Sequence, residues 1–101
     1  MYTLMVLYSE ANRSQQFRDY YESTHLPLAT QLPGLRASRF SLDVEAADGA
    51  TPYCAVFEAD FDSADAMHLA LASPEGQATQ ADVANFAGAG VLILHFLARS
   101  A

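Results

Sequence analysis

The chain has 101 residues and a mass of 10.9 kDa. That is the size of one domain spanning 1–101, because chains of about 100 to 150 residues fold around a single core. Five basic residues against 12 acidic ones give a net charge of −7, and all five cations are arginines. The missing lysine excludes a P-loop lysine, a Schiff base and a lysine general base. An isoelectric point near 4.5 argues against nucleic acid or an anionic membrane surface as partner, since both bind through clustered positive charge.

From the N-terminus, Tyr2 to Tyr8 is wholly apolar apart from Thr3 and is bounded by Ser9-Glu10-Ala11-Asn12, which predicts a buried strand. It has no basic start and meets Glu10 at once, so it does not read as a signal peptide. No apolar run reaches the roughly 18 residues that span a bilayer. Ser14 can cap a helix in which Phe17, Tyr20, Tyr21, Thr24 and Leu28 recur at three- and four-residue steps. Pro27 removes a backbone donor, so that helix should kink or restart near His25-Leu26-Pro27, and Leu32-Pro33-Gly34 should end it. Phe40, Leu42 and Val44 then alternate with Arg39, Ser41, Asp43 and Glu45, predicting a half-exposed strand.

Ala46 to Pro52 is a turn, and Tyr53 to Phe61 is the strand that completes a hairpin. Asp62 or Ser63 can cap a short helix through Leu71. Ser73-Pro74-Glu75 starts another that reaches about Phe86, with a capping serine, a first-turn proline and an acid at the positive dipole end. Gly88 and Gly90 precede a last strand, Val91 to Leu97. The order βαββαβ, with right-handed crossovers, predicts an α+β, ferredoxin-like fold: a four-stranded antiparallel sheet with both helices on one face.

Helices on one face leave the other face bare, yet the first and last strands are apolar on both faces. Leu4 and Val6 oppose Met5 and Leu7, and Leu92, Leu94 and Phe96 oppose Val91, Ile93 and Leu97. Leaving about six such side chains wet forgoes roughly 1.5–3 kcal/mol each. A homodimer packed sheet to sheet is therefore expected; a monomer covered by its own loop or C-terminus is the alternative.

Among residues able to carry chemistry, His25 stands where Pro27 interrupts the helix, one turn after Tyr21 and two after Phe17. A helix end offers partial negative charge, which would favour the imidazolium and orient one ring nitrogen while the other faces a cavity. The plainer role is a hydrogen bond to one orphan carbonyl. His95 would face the inter-sheet space or sit in the core, and His68 would be a helix-surface or packing residue. Tyr8, Tyr20, Tyr21 and Tyr53 supply phenols on elements that could border the open sheet face. Glu58, Asp60 and Asp62 alternate but match no calcium loop, so no metal is predicted. Cys54 has no disulfide partner, no zinc-type spacing and no adjacent cation to activate it; a reducing cytoplasm is the expected compartment.

The stretch Phe17-Arg18-Asp19-Tyr20-Tyr21-Glu22-Ser23-Thr24-His25-Leu26-Pro27-Leu28, followed by Leu32-Pro33-Gly34-Leu35, resembles the EthD family of the dimeric α+β barrel superfamily. Ser73-Pro74-Glu75-Gly76 is similar to the start of that family's second helix. The resemblance implies a homodimer and an apolar cavity between sheet and helices for a small aromatic, lactone or polyketide-like molecule. It also implies cofactor-independent chemistry, since relatives include methylmuconolactone isomerases, polyketide cyclases and decarboxylases, and cofactor-free monooxygenases. Tyr21 stands where relatives often carry tryptophan. On this footing His25 and Tyr21 are the expected catalytic pair, with Tyr8 as the other candidate donor. Tyr8, Phe17, Tyr53 and His95 are the expected substrate contacts. A non-catalytic ligand-binding or accessory protein is the rival, and haem held by His25 or His95 is a third reading.

Overall fold

The computed structural model describes residues 1–101. The strands are β1 (Tyr2–Ser9), β2 (Ala37–Ser41), β3 (Tyr53–Phe61) and β4 (Val91–Leu97). They form one sheet in the order β2-β3-β1-β4, antiparallel throughout. Between β1 and β2 lie α1 (Gln15–Tyr20), a π-helical turn (Tyr21–His25) and α2 (Leu26–Ala29). Between β3 and β4 lie α3 (Ala64–Ala72), α4 (Pro74–Asp82) and a 3-10 turn (Val83–Asn85). This is the ferredoxin-like βαββαβ arrangement expected above. No helix is long and apolar enough to cross a membrane.

The local signals work as their chemistry dictates. Ser14, Ser63 and Ser73 each accept a hydrogen bond from the backbone N–H three residues on, at 3.0, 3.1 and 3.0 Å. Ser73 is the end of α3 as well as the cap of α4, so the chain turns sharply there. That turn brings Gly76 against the Ala70 and Leu71 carbonyls, where a Cβ would lie 2.2 Å from the first.

Pro27 acts differently from a simple break. The chain stays helical from Gln15 to Ala29, but the Leu26 N–H reaches back five residues to the Tyr21 carbonyl. Proline in an ordinary α-helix clashes with the carbonyl four residues earlier, here Ser23, and widening the turn by one residue relieves that clash. His25 ends the widened turn.

β2 is shifted from the expected alternation. It pairs with β3 over Ala37–Ser41 and then leaves the ladder. Arg18 takes the Leu42 carbonyl at 3.0 Å and the Asp43 carboxylate at 2.8 Å, which draws the chain towards α1 and buries Leu42.

Register decides the two faces, because paired residues share one. Leu4, Val6 and Tyr8 pair with His95, Ile93 and Val91 on one side and with Ala59, Phe57 and Ala55 on the other. Leu4, Tyr8, Phe57 and Phe61 join Phe17, Tyr21, Leu32 and Met67 in the core, which places this face under the helices. Tyr8 therefore lies on the covered face, not at the open one, because its position in the ladder is even with Leu4 and Val6.

The opposite face carries Met5, Leu7, Val56, Leu92, Leu94 and Phe96 near β1 and β4. Towards β2 it turns polar, with Arg39 bonded to Glu58 and Asp60, and Thr3 donating to Asp60. Leu92, Leu94 and Phe96 are 40, 45 and 37 % exposed.

Candidate functional site

Between the covered sheet face and the helices lies a cavity of about 110 Å³. Leu4, Val6, Tyr8, Phe57 and Ile93 form its sheet wall, His25, Ala29 and Leu32 its α2 side, and Leu71, Thr79, Gln80 and Val83 its α3–α4 side. Its inner end holds Tyr8 and His25, both buried, and its outer side passes the exposed Ile93 and Gln80.

His25 is buried and its Nδ1 lies 2.9 Å from Asp82 Oδ2. The Asp82 carboxylate is otherwise saturated: Oδ1 accepts from the Tyr20 hydroxyl at 2.7 Å and from Asn85 Nδ2 at 2.9 Å. Asp82 thus serves where an orphan backbone carbonyl was expected, since Pro27 widens the helix instead of exposing its end. Burial works to raise the pKa of Asp82, but the bonds from Tyr20, Asn85 and His25 outweigh it and hold the carboxyl below the usual range.

His25 shows the reverse of the helix-end expectation. Burial lowers its pKa from 6.5, and the bond and charge of Asp82 only partly offset that. The ring is therefore neutral at pH 7, and an ionised Asp82 fixes its proton on Nδ1. Nε2 keeps a free lone pair, the arrangement a general base needs.

Tyr8 contributes a phenol to the same cavity. Its pKa is raised by burial and by the Asp82 charge, against a lowering by the Tyr21 hydroxyl, so it remains a donor. Tyr21, the expected partner of His25, is almost wholly buried and does not line the cavity. Its ring centroid is 5.6 Å from that of His25 and 5.5 Å from that of Tyr8, and its hydroxyl has no hydrogen-bond partner of good geometry. It supports the site's floor.

The other expected contacts lie elsewhere. Phe17 packs in the aromatic core against Tyr8, Tyr21 and Phe86 and borders a separate surface groove with Tyr20 and Asn85. Tyr53, at the start of β3, lines no cavity. His95 shares the covered face, but at the far end of β4, where it meets the Tyr2 hydroxyl and the His68 ring. Glu58 and Asp60 are held by Arg39, and Asp62 by Arg36. No group of three or more His, Cys, Asp and Glu side chains is placed to hold a metal ion.

Sequence reasoning missed Asp82, Asn85 and Phe86, whose ring lies 4.5 Å from that of His25. A signal for Asp82 existed: apart from histidine, it is the one ionisable side chain between Glu75 and Arg99.

Comparison with known proteins agrees with this architecture. The chain is 38% identical over 96 residues to an uncharacterized 11.0 kDa protein of Rhodococcus erythropolis, from the thcB-thcC intergenic region, covering 93% of this chain and 91% of that one. Among solved structures it is similar to an EthD family protein of Bacillus halodurans, with a TM-score of 0.91 at 27% identity, covering 98% and 99% of the two chains. It also shares the fold of a dimeric ferredoxin-like protein of unknown function from Thermobifida fusca, with a TM-score of 0.71 at 20% identity over 94% and 88% of the chains. The family model described as EthD domain matches residues 12–90, and the chain belongs to the EthD family.

Proposed function

We propose that this chain is a cofactor-independent enzyme that moves a proton on a small hydrophobic molecule of aromatic, lactone or polyketide type. The observation that supports it best is the buried His25–Asp82 pair at the inner end of an apolar cavity. Neutral His25 accepts a proton at Nε2 from a carbon or hydroxyl made acidic by a neighbouring carbonyl. The imidazolium that forms is stabilised by Asp82, and it returns the proton to the same molecule at another position. Tyr8 donates its hydroxyl proton in a hydrogen bond to the oxygen on which negative charge develops.

We propose further that the chain works as a homodimer. Met5, Leu7, Val56, Leu92, Leu94 and Phe96 form an apolar patch on the bare sheet face, and patches of this kind mark interfaces. A second copy would cover it and leave the cavity on the helix side accessible.

The test is turnover across a panel of lactones, phenols and enolisable ketones by the native protein and by His25→Gln. A loss of about 10²–10⁴-fold in kcat/KM is expected. Turnover unchanged in the variant overturns the role of His25, and binding without turnover in both assigns the chain to ligand carriage instead.

A further inference from the structure

The polar groups that line the cavity are few, and each can be followed to its partner. Thr79 donates its hydroxyl to the Glu75 carbonyl at 2.8 Å. Gln80 commits its amide to the Leu71 and Gly76 carbonyls at 2.9 and 3.0 Å. Besides the Gln80 amide oxygen, which can only accept, the Tyr8 hydroxyl and His25 Nε2 remain to meet a ligand.

No arginine lines the cavity. Arg13, Arg18, Arg36 and Arg39 are engaged with carboxylates outside it, and Arg99 lies beyond the end of β4. The nearest fixed charge is negative: Asp82 stands directly behind the His25 ring. A carboxylate entering the cavity would lose its water, find no cation and face a second anion; each of these disfavours it. His25 could answer by taking a proton, but its burial opposes that charge.

We propose that the cavity selects uncharged carbonyl compounds and rejects carboxylates of the same size and shape. The proposal rests on the reading of this cavity as the ligand site, and it concerns recognition, not turnover. The substrate enters neutral, and negative charge appears only once His25 has taken a proton and become the counter-ion.

Acetophenone and benzoate form a suitable pair, nearly equal in shape and differing in charge. Titrated into the full chain at pH 7, with the His25 ring and Ile93 methyl signals followed by NMR, acetophenone is expected to bind at least tenfold more tightly than benzoate. Ile93 is 51 % exposed on an edge strand and lines the cavity, so Ile93→Arg adds a cation with little demand on the core. That variant is expected to shift the benzoate-to-acetophenone preference at least tenfold towards benzoate. Equal binding of the two ligands to the native chain overturns the selection by charge, as does an Ile93→Arg variant with the native preference. If neither ligand moves these signals, the ligand-site reading itself falls, and the inference with it.

Discussion

His25 and Asp82 are 57 positions apart in the chain and 2.9 Å apart in the fold, joined Nδ1 to Oδ2 in a buried pair. One residue closes a π-helical turn and the other ends α4. Their meeting is what converts a helix-embedded histidine into an oriented base. The partner carboxylate is itself held by Tyr20 and Asn85, so the ring is positioned by a network and not by a single bond.

Asp82→Asn should therefore damage both stability and reactivity. The asparagine can offer its N–H₂ to a neighbour that already donates, leaving a donor of Tyr20, Asn85 or the buried His25 without an acceptor. A loss of about 1–3 kcal/mol is expected in chemical denaturation. Nitrogen-15 chemical shifts of His25 should show the proton no longer confined to Nδ1.

Acid should weaken the protein in two stages. His25 has its folded pKa below 6.5, so below about pH 6.5 the unfolded chain binds the extra proton first and stability starts to fall. Asp82 also has its folded pKa depressed, below 3.8. Its contribution is present above that value and is lost as pH drops through the folded one. For turnover, the acid limb of kcat/KM should have its midpoint below 6.5, because His25 stays neutral to lower pH than a free imidazole. Thermal melts and rate profiles between pH 3 and 8 check both; a limb centred above 6.5 contradicts the assignment.

The two tyrosines should separate. Tyr8 lines the cavity, so Tyr8→Phe is expected to lower kcat/KM by about 10²-fold with little effect on folding. Tyr21 is outside it and its hydroxyl has only the poorly aligned Tyr8 hydroxyl beside it, so Tyr21→Phe should keep most turnover and change stability by less than about 1 kcal/mol. The reverse pattern would restore Tyr21 as the substrate's partner.

Leu94→Asp tests the proposed homodimer. Leu94 is 45 % exposed on the bare sheet face, opposite Met5. Sedimentation at micromolar concentration should show a dimer for the native chain and a folded monomer for the variant. A native monomer would leave that apolar face without its expected cover.

Gly76→Ala should be severe despite its small size. The added Cβ would fall 2.2 Å from the Ala70 carbonyl oxygen and 2.5 Å from that of Leu71, both backbone atoms that cannot turn aside. The α3–α4 corner would have to open, and with it the placement of Asp82. A loss of about 3 kcal/mol or more is expected in equilibrium unfolding.

Local chemistry was legible in the sequence wherever the cause lies within one or two turns of the residue. β3 and β4 occupy the predicted ranges because apolar runs rich in β-branched and aromatic residues, bounded by turn residues, specify strands directly. The three capping serines act as read. β2 moved because Arg18, distant in sequence, captures Leu42 and Asp43. His95 went to the far end of the covered face because its ladder partner is Leu4, a matter of register that periodicity alone does not fix.

By itself the sequence determined the order of elements, the EthD-like helix around His25, the absence of any lysine and an apolar excess that one layer of helices cannot cover. Only the tertiary structure decided that Asp82 faces His25, that Tyr8 and not Tyr21 reaches the cavity, and that no arginine does. Capping and periodicity act between near neighbours, whereas the partners of a buried polar group are set by strand register and helix packing, which join residues tens of positions apart.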